Sequence, residues 1–365
     1  MALKMLKNNR GIALLLTLTV ITVLIVATLE MNRRMRSTVY SVAATRDRIT
    51  LSQMASSGIH VAEAILVTDK DSSNFDSLQE DWADPEKIGE FLRDISFEDG
   101  TLTVTISDEL GKIQVNSLVT YPDGHNFNVA QENLWHRLLN DLLNQDDFGE
   151  DTGEDTGEDT DPPTIINSMK DWMDSGDDEA TTGLNGAESD YYQDLDPPYT
   201  CRNGPFTRVD ELLLVKGVTP KLYFGSEALP GISTLVTVFG STQGQKNTVT
   251  YEGKININTA DLPVLAAILP LGHQDLAGNI YDYREEKDGS VYIHDLSTIT
   301  WYKNVPGLSD IQIDPDLITI SSDIFRIESL AALHDMKMKI TAVVQRETNK
   351  KTGKWECKAL SWETE

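Results

Sequence analysis

At 365 residues, 40% of them apolar, the chain is long enough for one membrane helix and two or three small globular units with real cores. Its net charge of −27 is uneven: the first 66 residues carry eight Lys/Arg against three Asp/Glu, so the acid is concentrated in the remainder. An acidic body repels phosphate, which argues against nucleic acid and favours divalent cations or a basic partner.

The chain opens on a short basic leader with Lys4, Lys7 and Arg10. From Ile12 to Leu29 it then runs without a charge, a Gly or a Pro. As a helix this stretch reaches ~27 Å at ~1.5 Å per residue, close to the ~30 Å hydrocarbon core of a bilayer. It can span a membrane or pack as an apolar rod inside an assembly. A secretory signal ends in a small-residue cleavage site. Here the apolar run is followed by Glu30, Met31, Asn32, Arg33 and Arg34, and the small residue precedes it, at Gly11. This arrangement resembles a class III leader, the substrate of prepilin peptidase. The resemblance implies cleavage between Gly11 and Ile12 and N-methylation of Ile12. Most pilins carry Glu at the fifth mature position, where this chain has Leu16. A carboxylate in an apolar helix is costly unless paired, and in a pilus it can pair with a neighbouring N-terminal amine. Leu16 therefore suits a subunit at a filament end; in an ordinary single-pass anchor it carries no meaning. Both flanks of the apolar run are basic, so charge does not settle topology.

After Leu29 the helical pattern continues to about Leu66, with no Gly from there until Gly58 and no Pro until Pro85. Residues 12–66 read as one helix, membrane-spanning over 12–29 and amphipathic beyond. Residues 67–124 read as a small β part: a short helix at Pro85 to Ile95, a strand alternating at period two from Thr101 to Ser107, and a second strand from Lys112 to Leu118. The last two form an expected β-hairpin. Asn126 to Asn144 reads as a helix. Residues 145–163, with the thrice-repeated Gly-Glu-Asp-Thr, are too acidic to bury apolar surface and predict an extended, mobile loop.

Next come Asp171-Trp172-Met173-Asp174, the acidic Asp177-Asp178, Gly186-Ala187-Glu188-Ser189-Asp190-Tyr191-Tyr192, Pro198-Tyr199, Asn203-Gly204-Pro205-Phe206 and Glu211-Leu212-Leu213-Leu214. Lys254-Ile-Asn-Ile-Asn-Thr-Ala260 follows; it reads as a short strand feeding a helix that Asn258 or Thr259 caps. Asp323 to Ile327, Lys337 to Arg346 and Trp355 to Trp362 read as closing strands.

These motifs together resemble the minor pseudopilin K family of type II secretion systems. The resemblance implies an α+β pilin-like fold: a long N-terminal helix on a small antiparallel sheet, completed by strands within 321–365. A large, mainly helical domain at 125–320, SAM-like or helix-hairpin-helix-like, is inserted between the strands. It implies a non-enzymatic subunit that initiates and caps the pseudopilus tip with minor pseudopilins I and J, anchored in the inner membrane with a periplasmic head. It also implies structural calcium. Calcium takes six to eight oxygens, and Asp174, Asp177, Asp178, Glu188 and Asp190 are the expected ligands, with Asp171 capping or pairing locally.

Cys201 and Cys357 form no CxxC, which excludes a thiolate zinc site or redox pair; in an oxidising periplasm they can form one disulfide. The six histidines are scattered, and no Gly-x-Ser-x-Gly or P-loop occurs, so nothing points to an enzyme. Ile255-Asn-Ile-Asn-Thr-Ala260 also resembles the helix-hairpin-helix of membrane-anchored competence DNA receptors. DNA use needs a Gly-rich hairpin with nearby basic residues; Leu269 to Leu276 has one glycine, and no Lys or Arg follows until Arg284. A minor pilin of a related type IV pilus is the other alternative.

Overall fold

The computed structural model describes residues 10–93, 97, 99–122, 124–144, 160–175, 181–227, 229–243 and 248–365. Helix α1, Arg10–Ser72, is continuous over 63 residues. It contains a stretch long and apolar enough to cross a membrane. Its side chains are exposed from Gly11 to Thr45. From Leu51 onward the pattern changes: Leu51, Met54, Ala55, Ile59, Ala62, Ile65 and Leu66 are buried at helical spacing. This face lies directly on the sheet. A Cβ at Gly58 would stand 2.2 Å from Ser329 Oγ, so glycine is what lets the helix approach so closely.

The sheet has four antiparallel strands in the order β1 (Thr101–Asp108), β2 (Ile324–Leu333), β3 (Met336–Thr348), β4 (Trp355–Thr364). Thr101 pairs with Ala332 and Asp108 with Phe325, so the strand at residue 101 finds its neighbour near the far end of the chain. Val104, Ile106, Phe325, Ile327, Ile340 and Val344 point into a first core with α1 and with Ile88 of α2 (Pro85–Arg93). The alternation read over 101–107 is correct. The expected hairpin with 112–118 is not. Ile113–Gln114 pairs in parallel with Val236–Thr237, and Val115–Leu118 winds into a 3₁₀ turn. Ile113, Val115 and Leu118 are fully buried in a second core, which draws that segment away from β1.

That second core is built by residues lying between β1 and β2. Helices α3 (Val129–Leu143), α4 (Pro162–Met173), α5 (Ser189–Gln193), α6 (Leu262–Ile268) and α7 (Ala277–Glu285) contribute Leu134, Leu138, Met169, Trp172, Tyr192, Leu265 and Ile280. Residues 145–159 of the expected acidic loop lie outside the described residues. Its last three do not belong to a loop: Asp161 accepts from Thr164 N at 2.8 Å and caps α4, with Pro162 in its first turn. The expected cap of α6 is also displaced. Asp261 occupies that position, because Asn258 and Thr259 turn to buried partners instead.

A polar seam joins the two cores. Asp108 Oδ2 accepts from Asn256 Nδ2 at 2.8 Å, from Thr259 Oγ1 at 2.6 Å and from Ser322 Oγ at 2.6 Å. Buried Arg346 donates to the carbonyls of Leu66 and Ser322 and pairs with Asp69 and Asp76. Arg326 binds Glu109 through two nitrogens, at 3.0 and 2.9 Å. Burial works to raise the Glu109 carboxyl, but Arg326, Lys112 and Thr237 outweigh it and hold it below its usual value. The cysteines do not bridge: Cys201 belongs to the second core, and Cys357 packs in the first, its Sγ 3.8 Å from the carbonyl of Glu63 on α1. Two separate cores keep the thiols apart.

Candidate metal centre

The Asp-Trp-Met-Asp run ends α4, and its alternation sorts two chemistries. Trp172 turns inward, edge-on to Tyr192 at 5.3 Å and stacked on Phe206 at 6.3 Å; Tyr199 stacks on Tyr192 at 5.2 Å. The Tyr-Tyr, Pro-Tyr and Pro-Phe motifs therefore meet in one aromatic cluster. Asn116, in the 3₁₀ turn at Val115–Leu118, clamps this cluster: its Oδ1 accepts from Phe206 N at 2.6 Å, and its Nδ2 donates to Phe206 O at 3.0 Å.

With the aromatics fixed, Asp171, Asp174 and Glu188 come together, one carboxylate oxygen of each lying within 4.8 Å of the others. Asp171 and Asp174 are three positions apart, which places them on one side of the helix end. Asp171 is fully buried and Glu188 is 7% exposed. Burial raises the Asp171 carboxyl above its ordinary value, against the hydrogen bonds from Thr182. Thr182 N donates to both Asp171 oxygens, at 3.0 and 3.1 Å. Lys170 Nζ lies 3.1 Å from Asp174 Oδ2 and 2.8 Å from Thr182 Oγ1. Gly186 lets the loop close: a Cβ there would stand 2.1 Å from Asp171 Oδ2 and 2.7 Å from Thr182 O.

Of the expected ligands, the fold brings Asp174 and Glu188 together. Asp177 and Asp178 lie outside the described residues, and Asp190, in the first turn of α5, is exposed and apart from this group. Asp171, read as a local cap, is a full member of the group. Its three-residue spacing from Asp174 on a helix was the signal that could have found it. Among the described residues the group offers only carboxylate oxygens, with Lys170 paired to Asp174. That chemistry fits a hard divalent cation such as calcium.

Gly11 and Ile12 stand exposed in the first turns of α1, and residues 1–9 of the expected leader lie outside the described residues. Helices α6 and α7 flank the Leu269 to Leu276 hairpin. Arg284, the first basic residue after it, is 1% exposed and donates to the Ile257 carbonyl at 3.0 Å, so it faces the core rather than a phosphate.

Residues 111–229 match the family described as type II secretion system (T2SS), protein K. Curated relatives named type II secretion system protein K include one from Klebsiella pneumoniae, 27% identical over 59% of this chain and 60% of its own length. One from Aeromonas hydrophila is 27% identical over 60% of this chain and 61% of its own. One from Pseudomonas aeruginosa is 27% identical over 76% of this chain and 73% of its own. The chain thus spans about three fifths of the first two relatives. A solved chain from the GspK-GspI-GspJ complex of enterotoxigenic Escherichia coli shares the fold, with a TM-score of 0.57 at 16% identity over 88% of this chain and 99% of that one.

Proposed function

We propose, on the premise that this chain is similar to the type II secretion protein K family in sequence and in fold, that it is the minor pseudopilin at the tip of a type II secretion pseudopilus. It initiates assembly, caps the filament and has no enzymatic role. The observation that carries this reading is the placement of residues 109–323 between two hydrogen-bonded strands of the sheet on α1. A pilin-like rod and sheet can repeat along a thin filament; a second body of this size beside each sheet cannot. Leu16 supports the same position, since a subunit with no neighbour above it has no amine for a buried carboxylate to meet.

In this reading prepilin peptidase cuts between Gly11 and Ile12, and Ile12 becomes the N-methylated terminus. The apolar half of α1 holds the chain in the inner membrane until assembly, with the head in the periplasm. Minor pseudopilins I and J are its partners, in keeping with the E. coli neighbour, which comes from a complex of that composition. Calcium is a structural ion held by Asp171, Asp174 and Glu188, with Asp177 and Asp178 as further candidates. It brings positive charge to these carboxylates and ties the 181–188 loop to the end of α4.

The test is co-purification of the full chain, in detergent and calcium, with minor pseudopilins I and J from the same genome. A stable ternary complex is expected. A chain that stays monomeric beside both partners, at micromolar concentration, overturns the tip assignment.

A further inference from the structure

A cavity of about 470 Å³ opens between α1, the Glu80–Asp81 turn and α2. One wall is apolar: Val61 and Ile65 from α1 and Phe91 from α2, which is 48% exposed. The other end is acidic, with Asp69, Glu80 and Asp81. Behind it lies Asp76, fully buried; carboxylate oxygens of Asp69, Asp76 and Glu80 fall within 4.8 Å of one another.

The cations near this acid are accounted for. Arg346 spans Asp69 and Asp76 and is held from behind by the carbonyls of Leu66 and Ser322. Lys70 stands 3.9 Å from Asp76 and is shared with Asp323 at 3.7 Å. Glu80 takes neutral donors among the described residues: Ser77 N at 2.8 Å, Trp82 Nε1 at 3.2 Å and the Ser73 side chain. Among the described residues, two cations thus serve five carboxylates, and Glu80 and Asp81 have no ion pair of their own. A divalent metal is a poor match, because the guanidinium already fills the deep end. The open end has the shape and charge of a binding place for a monocation carried on an apolar stem.

We propose that this cavity receives one Arg or Lys side chain of a partner protein, its aliphatic stem on Val61, Ile65 and Phe91 and its charged head between Glu80, Asp81 and Asp69. Such side chains bury their methylenes while keeping the head on polar groups, which is the pattern this lining offers. The strained acid agrees: burial, then Glu80 and Asp76, push the Asp69 carboxyl up to about 7, and burial raises Glu80 as well. An entering cation relieves both. The inference concerns a surface separate from the metal centre and does not rest on the tip assignment.

The full chain in detergent micelles, labelled with ¹⁵N at its tryptophan indoles, supplies a reporter, since the Trp82 N–H donates to Glu80 Oε2. Its resonance is assigned with Trp82→Phe. Titration with Nα-acetyl-arginine amide is expected to shift the Trp82 signal saturably, with a dissociation constant on the order of 1 mM for a fragment of this size. The uncharged isostere Nα-acetyl-citrulline amide should bind at least about fivefold more weakly. Asp81→Asn, at the exposed rim, should weaken arginine binding about threefold without disturbing the fold, and Glu80→Gln should do so more strongly. Equal shifts with citrulline amide, no shift with arginine amide, an unchanged affinity in both variants, or a Trp82 response to calcium alone would each overturn the proposal.

Discussion

Asn256 Nδ2 lies 2.8 Å from Asp108 Oδ2, joining residues 148 positions apart where the two cores meet. The same nitrogen also reaches the Asp76 carbonyl at 3.0 Å. The Ile-Asn-Ile-Asn-Thr-Ala motif is therefore structural in every polar position. Asn256 and Thr259 satisfy the buried Asp108, and Asn258 Oδ1 accepts from Trp301 Nε1 at 2.7 Å. Asn256→Ala strips Asp108 of one donor and leaves the Asp76 carbonyl short of another, and a buried group without its partner costs ~1–3 kcal/mol. We expect a loss of about 3 kcal/mol in urea unfolding, whereas Asn185→Ala, in an exposed loop, changes stability by less than ~0.5 kcal/mol.

Burial lifts the Asp108 carboxyl from 3.8 to about 6, in spite of its hydrogen bonds from Ser322, Thr259 and Asn256. A carboxyl raised in this way binds its proton more tightly in the folded chain than in the unfolded one. Its contribution to stability therefore grows as pH falls from about 6 toward 3.8. Asp108→Asn removes that dependence. The stability difference between wild type and variant should be larger at pH 4.5 than at pH 7, by about 2 kcal/mol. Urea unfolding at the two pH values measures it; a pH-independent difference would show that Asp108 does not titrate in this window.

If calcium occupies the Asp171, Asp174 and Glu188 group, saturating calcium should raise the thermal midpoint of the full chain by about 5 °C over EGTA. Gly186→Ala should abolish that gain, because its Cβ would stand 2.1 Å from Asp171 Oδ2. Asp190→Asn, on the exposed face of α5, should keep it. A calcium response that Asp190→Asn removes and Gly186→Ala spares would place the ion elsewhere.

Cys201 and Cys357 sit in different cores. The chain should run identically on gels with and without reductant, and dithiothreitol should leave its melting unchanged. Burial pushes the Cys357 thiol up to about 12, so the thiolate is scarce at neutral pH and reaction with a disulfide reagent should be slow until the chain is unfolded. Intact-mass analysis after alkylation counts the thiols.

At the start of α1, Gly11→Leu should block leader removal outright, while Leu16→Glu should leave it intact and affect only assembly. Immunoblots of precursor and mature chain separate the two outcomes. Equal processing of wild type and Gly11→Leu would remove the class III leader from the account.

Local pattern made much of this protein readable in advance. The apolar rod, the alternation at 101–107 and the closing strands follow from side-chain period and composition over a few residues, and the acid and aromatic motifs were legible through the family resemblance they carry. What those periods do not contain is who meets whom. Thr101–Asp108 could pair with any strand of matching face, and only folding brings Ile324–Leu333 beside it rather than the nearer 113–114. Asp171 joined the carboxylates because the aromatic cluster fixed the end of α4 opposite Glu188. The cysteines parted because two cores formed instead of one. Hydrophobic period is a property of short segments. Contacts across 148 positions depend on how those segments fill a shared volume, and that is settled by packing and by the need of each buried polar group for a partner.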